Sequence, residues 1–541
     1  MEEKIEEKPV VENSTQIEEK KPKKKNKVVI IVGICFAVVV VIIVLSVITL
    51  LFLRSKKEVH TQTTERKPVA DSLYRLNGNG LEDFDLYFLQ LENPSKNMIY
   101  SPLSIKYALA MLNEGTDGDS HDQITSVIGD YQAKKYNNNE HMSFANAMFI
   151  RNSFQKNIVK DYTTNLQNNY GAEVIYDSFE SAANMNSWVS NKTFKLINNL
   201  ISDDAAKEGN FFLINSLAID MNWTTRIQSA SAPLPEGMEE RYYHVKYYHE
   251  KYSDYIPPIE NDEYPSMTFN GEEGIKSVKV GASFNHYDIV NVIGEDNIRK
   301  TVGEKYQEFI DENGMDCGPL ESYLDEYIKA IDSNYSDKDR RDKTSTEFSI
   351  YDDDELKLFA KNLQNYDGTT LQYVAVMPKV VSLDSYIKEL NAESLNRTIG
   401  NLKEVKYENF KDGVVTQIVG NIPLFKFDYQ LDLVEDLKTL GIKDIFDVNK
   451  ANLSKMVTKE KQYIYNAVHK ANIEFSNDGI KAAAATTMGG AGAAGCPFDY
   501  LYDVPVEKID ITFDKPYLFL IRDVKTGEVW FTGTVYHPEK N

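Results

Sequence analysis

Residues 479–495, GIKAAAATTMGGAGAAG, are the one stretch of this 541-residue chain whose composition points to a mechanism. Gly490, Gly492 and Gly495 match the spacing G-x-G-x-x-G. In a dinucleotide site that pattern follows a strand and opens a helix, so that backbone N–H groups meet the pyrophosphate. Here a run of alanines precedes the glycines and Cys496-Pro497-Phe498-Asp499 follows, where the helix would be needed, so the match carries no such chemistry. Serine hydrolysis is no better supported. There is no G-x-S-x-G elbow, and Ser101 stands before Pro102 at a helix start. The eight histidines show no H-E-x-x-H spacing, so neither a metal nor any other cofactor is expected. Cys496 reads as an incidental small residue rather than a reactive thiol. The chain is read as a protein that is not an enzyme.

The alanines admit a mechanical reading instead. They are flanked by the strand-like Ala471-Asn472-Ile473-Glu474-Phe475 and by the glycine-rich loop. A run of small side chains between a strand and a flexible loop suits a segment that must slip between two existing strands, because bulky residues at alternate positions would block entry. Ile480, Ala482, Ala484 and Thr486 share one parity, and all but Ile480 are small.

The rest of the chain must position that segment. Leu81, Phe84, Phe88 and Leu91 recur at helical spacing, and Ile105, Leu109 and Leu112 open a second helix that ends near Gly115. Phe211–Ile219 is a continuous apolar run of strand length, as expected for a strand buried on both faces. Strand-like runs recur at 371–377, 509–513, 517–521 and 529–535. Helices lead and strands dominate the end, which gives an α+β or mixed architecture. From about Glu295 to Thr346 the chain is acidic and helix-prone, with Tyr323, Tyr327 and Ile331 spaced by four and a solvated cluster at 337–342. This stretch reads as a surface insertion, a helical hairpin.

Val28–Leu53 is 26 residues without a charge. At about 1.5 Å per residue it exceeds the roughly 30 Å hydrocarbon core, and it is too long for a cleaved signal peptide. Six lysines between Lys20 and Lys27 face Arg54, Lys56 and Lys57 on the other side. That bias places a basic tail, 1–27, in the cytoplasm and everything after Leu53 outside the cell. Residues 54–72 read as a stalk, and 73–541 as the folded domain.

Composition is consistent with a sizeable core, at 42% hydrophobic and 11% aromatic residues. Residues 1–57 hold 11 basic and 7 acidic side chains, which leaves −26 of the net −22 on the remainder. An acidic surface of that size argues against nucleic-acid binding. With Cys35 in the apolar run, Cys317 and Cys496 are the only soluble cysteines, and free thiols are expected.

Five stretches in order resemble the serpins. They are NMIYSPLSIKYALAMLNEGTDGDSHDQI at 97–124, LINSLAIDMNW at 213–223, NAVHKANIEFSNDGIKAAAATT at 466–487, ITFDKPYLFLIRD at 511–523 and WFTGTVYHP at 530–538. The resemblance spans roughly 75–541 apart from the acidic insertion. It implies helices packed on a large central mixed sheet, further sheets and an exposed reactive loop at about 479–510. It also implies a suicide substrate for serine proteases, with cysteine proteases as a second class. The protease cuts the loop and forms an acyl-enzyme, and the cut loop inserts as a new central strand and carries the protease with it. About 14 residues at roughly 3.3 Å each make a strand near 45 Å long.

By the same resemblance the hinge covers Gly479, Ile480, Ala482, Ala483, Ala484, Ala485 and Thr486. The scissile bond falls at Ala493-Ala494, which suits elastase-like or subtilisin-like enzymes. The loop is about a dozen residues longer than usual, which leaves Gly495, Cys496 and Phe498 open as cleavage points. Ser101, Ser104, Asn215 and His469 match the shutter beneath the opening sheet, and Trp223 matches the breach where insertion begins. Ile480 stands where inhibitory members have threonine, Asn477 where glutamate is common, and Tyr517 where phenylalanine is usual. Isoleucine favours strands and should still insert. The alternative is a non-inhibitory binding protein that only displays its loop. A monomer is expected. The sequons Asn191-Lys192-Thr193 and Asn396-Arg397-Thr398 would carry glycans only in a eukaryotic secretory route.

Overall fold

The computed structural model describes residues 74–540 except 79, 93–94, 130, 226, 228–263, 286–291, 315–317, 320, 322–323, 326–347, 411–412, 459–460, 478 and 481–504. The described residues all belong to one unit, 67–541. The apolar run at 28–53 lies outside them, and among the described residues no helix is long and apolar enough to cross a membrane.

The helical spacing near Leu81 produces α1 (Asp83–Glu92), followed by the short strand β1 (Met98–Tyr100). Ser101 then stops the strand and starts α2 (Pro102–Asn113). Its side chain accepts the Ser104 N–H at 3.0 Å, and Pro102 occupies the first turn, where no backbone donor is needed. Next come α3 (Gly118–Ile128), β2 (Met142–Arg151), α4 (Lys160–Tyr170), β3 (Glu173–Asp177), α5 (Ala183–Lys192) and α6 (Asp203–Glu208). The apolar run becomes β4 (Phe211–Ile219) and continues as β5 (Met221–Asn222). The second half holds β6 (Ser266–Phe269), β7 (Glu272–Asn285), α7 (Glu295–Asn313), β8 (Phe348–Asp352), β9 (Leu356–Asn362), β10 (Leu371–Pro378), α8 (Leu383–Glu389) and α9 (Ala392–Ile399). It closes with β11 (Lys403–Glu404), β12 (Val415–Pro423), β13 (Phe425–Asp432), α10 (Leu433–Leu440), β14 (Val468–Phe475), β15 (Gly479–Ile480), β16 (Val506–Asp510), β17 (Tyr517–Asp523) and β18 (Val529–Val535).

The largest sheet has seven strands in the order β1-β18-β17-β10-β9-β8-β11. Its inner strands are apolar at consecutive positions because both faces are covered. Along β17, Leu518 and Leu520 enter one core while Tyr517, Phe519 and Ile521 enter the other. Along β10, Val374 and Val376 alternate in the same way with Tyr373, Ala375 and Met377. Gly533 in β18 is required by close approach, since a Cβ there would meet the Met98 carbonyl oxygen at 2.1 Å. A second sheet runs β16-β12-β7-β6, and three smaller groups are β3-β2-β4, β13-β14 and β15-β5.

The strand expected at 509–513 is displaced. β16 ends at Asp510, whose carboxylate accepts the Thr512 N–H at 2.8 Å and turns the chain. Ile511 and Phe513 leave the regular ladder as buried anchors, their N–H groups bonded to Val419 O and Asn421 O at 2.8 and 2.9 Å. In the acidic stretch α7 buries Ile298, Val302 and Tyr306 and ends at Gly314 in the left-handed region. Tyr323, Tyr327, Ile331 and the cluster at 337–342 lie outside the described residues.

Candidate functional site

Strands β4 and β14 run side by side in the same direction, joined at both ends. Asn210 Nδ2 donates to Gln462 Oε1 at 3.0 Å at the lower end, and Trp223 Nε1 donates to Ser476 O at 2.9 Å at the upper end. Between these points no backbone ladder links them among the described residues: β4 pairs with β2, and β14 with β13. The space left is a cleft of about 360 Å³ lined by Ser104, Leu109, Leu213, Asn215, Leu437 and His469. Above it lies a pocket of about 20 Å³, room for roughly one water, between Leu217–Ile219 and Asn472–Glu474. Thr193, Leu196 and Ile197, which follow α5, also line that pocket.

The start of α2 bridges the cleft from beneath. The Ser101 N–H donates to His469 Nε2 at 2.9 Å. Ser104 Oγ donates to Asn215 Oδ1, Asn215 Nδ2 donates to Asn146 Oδ1 at 2.7 Å, and Asn146 Nδ2 donates to Tyr170 O at 2.8 Å. One chain of hydrogen bonds thus ties β14, α2, β4, β2 and the end of α4. Burial pushes the His469 imidazole down to about pH 4, so at neutral pH the ring is uncharged and Nε2 is free to accept. The ring lines the cleft between β4 and β14. Ser101 caps a helix and His469 accepts from its backbone, so this serine–histidine pair is not set up for nucleophilic attack.

At the upper end β15 pairs antiparallel with β5, Gly479 opposite Asn222 and Ile480 opposite Met221. Since β4 and β14 run the same way, the chain has reversed between Phe475 and Gly479. Its next two residues already occupy the first positions of a strand lying between them. Trp223 packs on Phe475 and Tyr373 at 5.5 and 6.0 Å between ring centres, and the Ile227 N–H donates to Asn477 O at 2.8 Å. Trp223 is 2% exposed.

The structure therefore brings Ser101, Ser104, Asn215 and His469 to one network, and Trp223, Gly479 and Ile480 to the upper end of the same cleft. Ala482, Ala483, Ala484, Ala485, Thr486, Ala493 and Ala494 lie outside the described residues. Two features escaped the sequence reading. Asn146 extends the network, and its signal was a lone amide inside the apolar strand MSFANAMFI. Lys106, a residue of α2 that is 2% exposed, meets Asp85 at 2.5 Å and Glu82 at 3.8 Å. Burial pushes the Asp85 carboxyl up to about 6 although Lys106 pulls it down. Its signal was a single lysine in a helix apolar on every side. Among the described residues no group of three or more His, Cys, Asp or Glu is placed to hold a metal.

A family profile described as "Serpin (serine protease inhibitor)" matches residues 84–233 and 343–538. The chain is 23% identical over 465 residues to the neuroserpin of Mus musculus, covering 82% of this chain and 87% of that protein. The structure is similar to the native state of tengpin, a thermophilic serpin, with TM-score 0.54, 20% identity, and coverage of 84% of this chain and 92% of that one. It is also similar to thyroxine-binding globulin in complex with thyroxine, with TM-score 0.52, 15% identity, and coverage of 85% and 98%.

Proposed function

The chain belongs to the serpin family, and from that premise we propose that it inhibits serine proteases as a suicide substrate. The observation that carries this is the reversed hinge. Gly479 and Ile480 are already paired with β5 above an open cleft whose two walls, β4 and β14, present unused strand edges. A cut loop would continue downward from Ile480 by adding ladder bonds on both sides, and the 360 Å³ cleft is space it can occupy. In this reading the network of Ser101, Ser104, Asn215 and His469 is a shutter that parts and re-forms around the incoming strand. Trp223 pins the entry point. The small residues Ala482, Ala484 and Thr486 then pass inward, and Ala493-Ala494 is the bond attacked by an elastase-like or subtilisin-like enzyme. The remaining parts of the reading are an anchor at 28–53 and a serpin domain outside the cell, supported by the uncharged run and the lysine bias of its flanks.

The test is incubation of the full chain, in nonionic detergent, with an elastase-like and a subtilisin-like protease, followed by a denaturing gel and intact mass. A denaturant-resistant adduct with a released peptide that starts at Ala494 supports both mechanism and bond. A peptide starting elsewhere keeps the mechanism and moves the bond. Cleavage without an adduct, combined with no rise in the melting temperature of the cut protein, leaves a loop that is displayed but does not insert.

A further inference from the structure

The two walls of the cleft are fastened separately, and a few contacts cross the seam between them. On the β4 side, Arg151 at the end of β2 spends its guanidinium on main-chain carbonyls. Nε donates to Gly209 O, and the terminal nitrogens donate to Ser178 O, Ala206 O, Lys207 O and Gly209 O, all at 2.6–3.3 Å. The C-terminal end of α6 is thereby held to β2 and β4. On the other side, the Ile464 N–H donates to Ile445 O at 2.7 Å and the Leu433 N–H to Ala467 O at 2.8 Å. These bonds hold the lead-in to β14 against α10 and the chain that follows it.

At the lower end of the seam, Tyr465 Oη crosses over and donates to Ala205 O of α6 at 2.5 Å, beside the Asn210–Gln462 bond. Gly209 leaves the room for this contact, since a Cβ there would stand 3.0 Å from Tyr465 Oη and 2.5 Å from the Phe212 ring.

Register fixes how far an entering strand travels before it meets these ties. Ile480 stands opposite Met221, so a strand continued from it would pair with ten residues, Asp220 back to Phe211, before it reaches Asn210. Residues 481–493 number thirteen, three more than those ten places. Adding one strand moves the walls apart by about 4.8 Å. Ties of 2.5 and 3.0 Å would then have to span about 7–8 Å, roughly twice the reach of a hydrogen bond. Because Arg151 keeps α6 on the β4 side, Tyr465 cannot hold both its place before β14 and its bond to Ala205.

We propose that Tyr465, together with the Asn210–Gln462 pair, is a latch that halts the entering strand ten residues in, and that its opening carries a bound protease the rest of the way. The proposal rests on the reading that the cut loop enters this cleft, and it adds a late checkpoint at the end opposite the hinge. Tyr465 is a positioning residue, acting through α6 on how far the strand runs. Cleavage precedes the latch, so the opening rate divides cut molecules between those that hold the protease and those that release it.

The test uses the full chain in nonionic detergent. Tyr465→Phe removes the hydroxyl and keeps the ring in its packing, and the double variant Y465F/N210A removes both ties. Ser190→Ala is the control, since its bond to Asn198 at 2.7 Å stays on one side of the seam. Conversion of the uncut protein to a loop-inserted form on heating is followed by native gel. The ratio of cut inhibitor to covalent adduct is read on denaturing gels with an active elastase-like protease. Expected is conversion about fivefold faster in Tyr465→Phe, at least about tenfold faster in the double variant and unchanged in Ser190→Ala. Fewer cut molecules per adduct should follow in the same order, with the rate of loop cleavage unaltered. Equal conversion rates in wild type and both latch variants would overturn the proposal. So would a lower melting temperature without a faster conversion, which would make Tyr465 merely structural. Adduct formation is scored separately: its absence throughout sinks the inhibitory reading, while the heating experiment still decides the latch. No loop-inserted form from any of the proteins would overturn the latch and insertion together.

Discussion

Acidification tests the shutter most directly, because two of its neighbouring buried groups titrate in opposite senses. His469 has its pKa lowered from 6.5 to about 4 by burial. The unfolded chain therefore binds the extra proton first, and the stability contributed by the neutral ring is complete above pH 6.5 and lost as pH falls towards 4. Asp85 is the reverse case, raised from 3.8 to about 6. Its contribution is complete below pH 3.8 and is lost as pH rises through 6. Between pH 7 and pH 5 these values give a loss of about 2 kcal/mol from His469 and a gain of about 1 kcal/mol from Asp85. The wild-type urea midpoint should thus move little over that range. His469→Gln, whose amide oxygen can still accept the Ser101 N–H, removes only the first contribution. Its stability should rise by about 1 kcal/mol on going from pH 7 to pH 5, a change about 2 kcal/mol more favourable than that of wild type. The assay is a urea titration at both pH values, together with ring-proton NMR of histidine-labelled protein to read the His469 titration. Identical pH dependences in the two proteins, or a ring titrating above pH 6, would refute the reasoning.

Other perturbations follow from the packing. Lys106→Met strands the Asp85 carboxylate, 0% exposed, without its cation and should cost about 3–5 kcal/mol in urea melts. Adding Asp85→Asn should recover most of that loss. Gly533→Ala would place a methyl 2.1 Å from Met98 O and 2.7 Å from a Phe519 ring carbon, so a loss of about 3 kcal/mol or more, or failure to fold, is expected by circular dichroism. Trp223→Phe keeps the aromatic packing but removes the hydrogen bond to Ser476 O. It should cost about 1 kcal/mol and speed conversion to a loop-inserted form on heating, read by native gel.

Much of the scaffold was legible in local patterns. Helix spacing located α1 and α2, and the Ser101-Pro102 pair marked the start of the latter because a cap and a residue without N–H are local requirements. The unbroken apolar run of β4 announced a strand covered on both faces, and the runs of β10, β17 and β18 announced strands. Where a side-chain interaction overrode the pattern, the reading slipped: the Asp510 turn ends β16 three residues early even though Ile511 and Phe513 keep its apolar rhythm. Asn146 and Lys106 were visible as polar residues in apolar surroundings, but their partners are remote in sequence, so nothing local named them.

The sequence by itself determined the helices α1 and α2 and the strands β4, β10, β17 and β18, that the chain carries an uncharged span, and that a small-residue run lies between a strand and a glycine-rich loop. Those properties depend on residues within a turn or two of one another. Only the tertiary structure decided that β4 and β14 stand parallel without a shared ladder, and that Gly479 and Ile480 turn back against β5. It also decided that Ser101 meets His469 across 368 positions of chain, and that β12 stands between β7 and β16. Strand order and register arise from how separate elements share one buried core, and no local pattern encodes that choice.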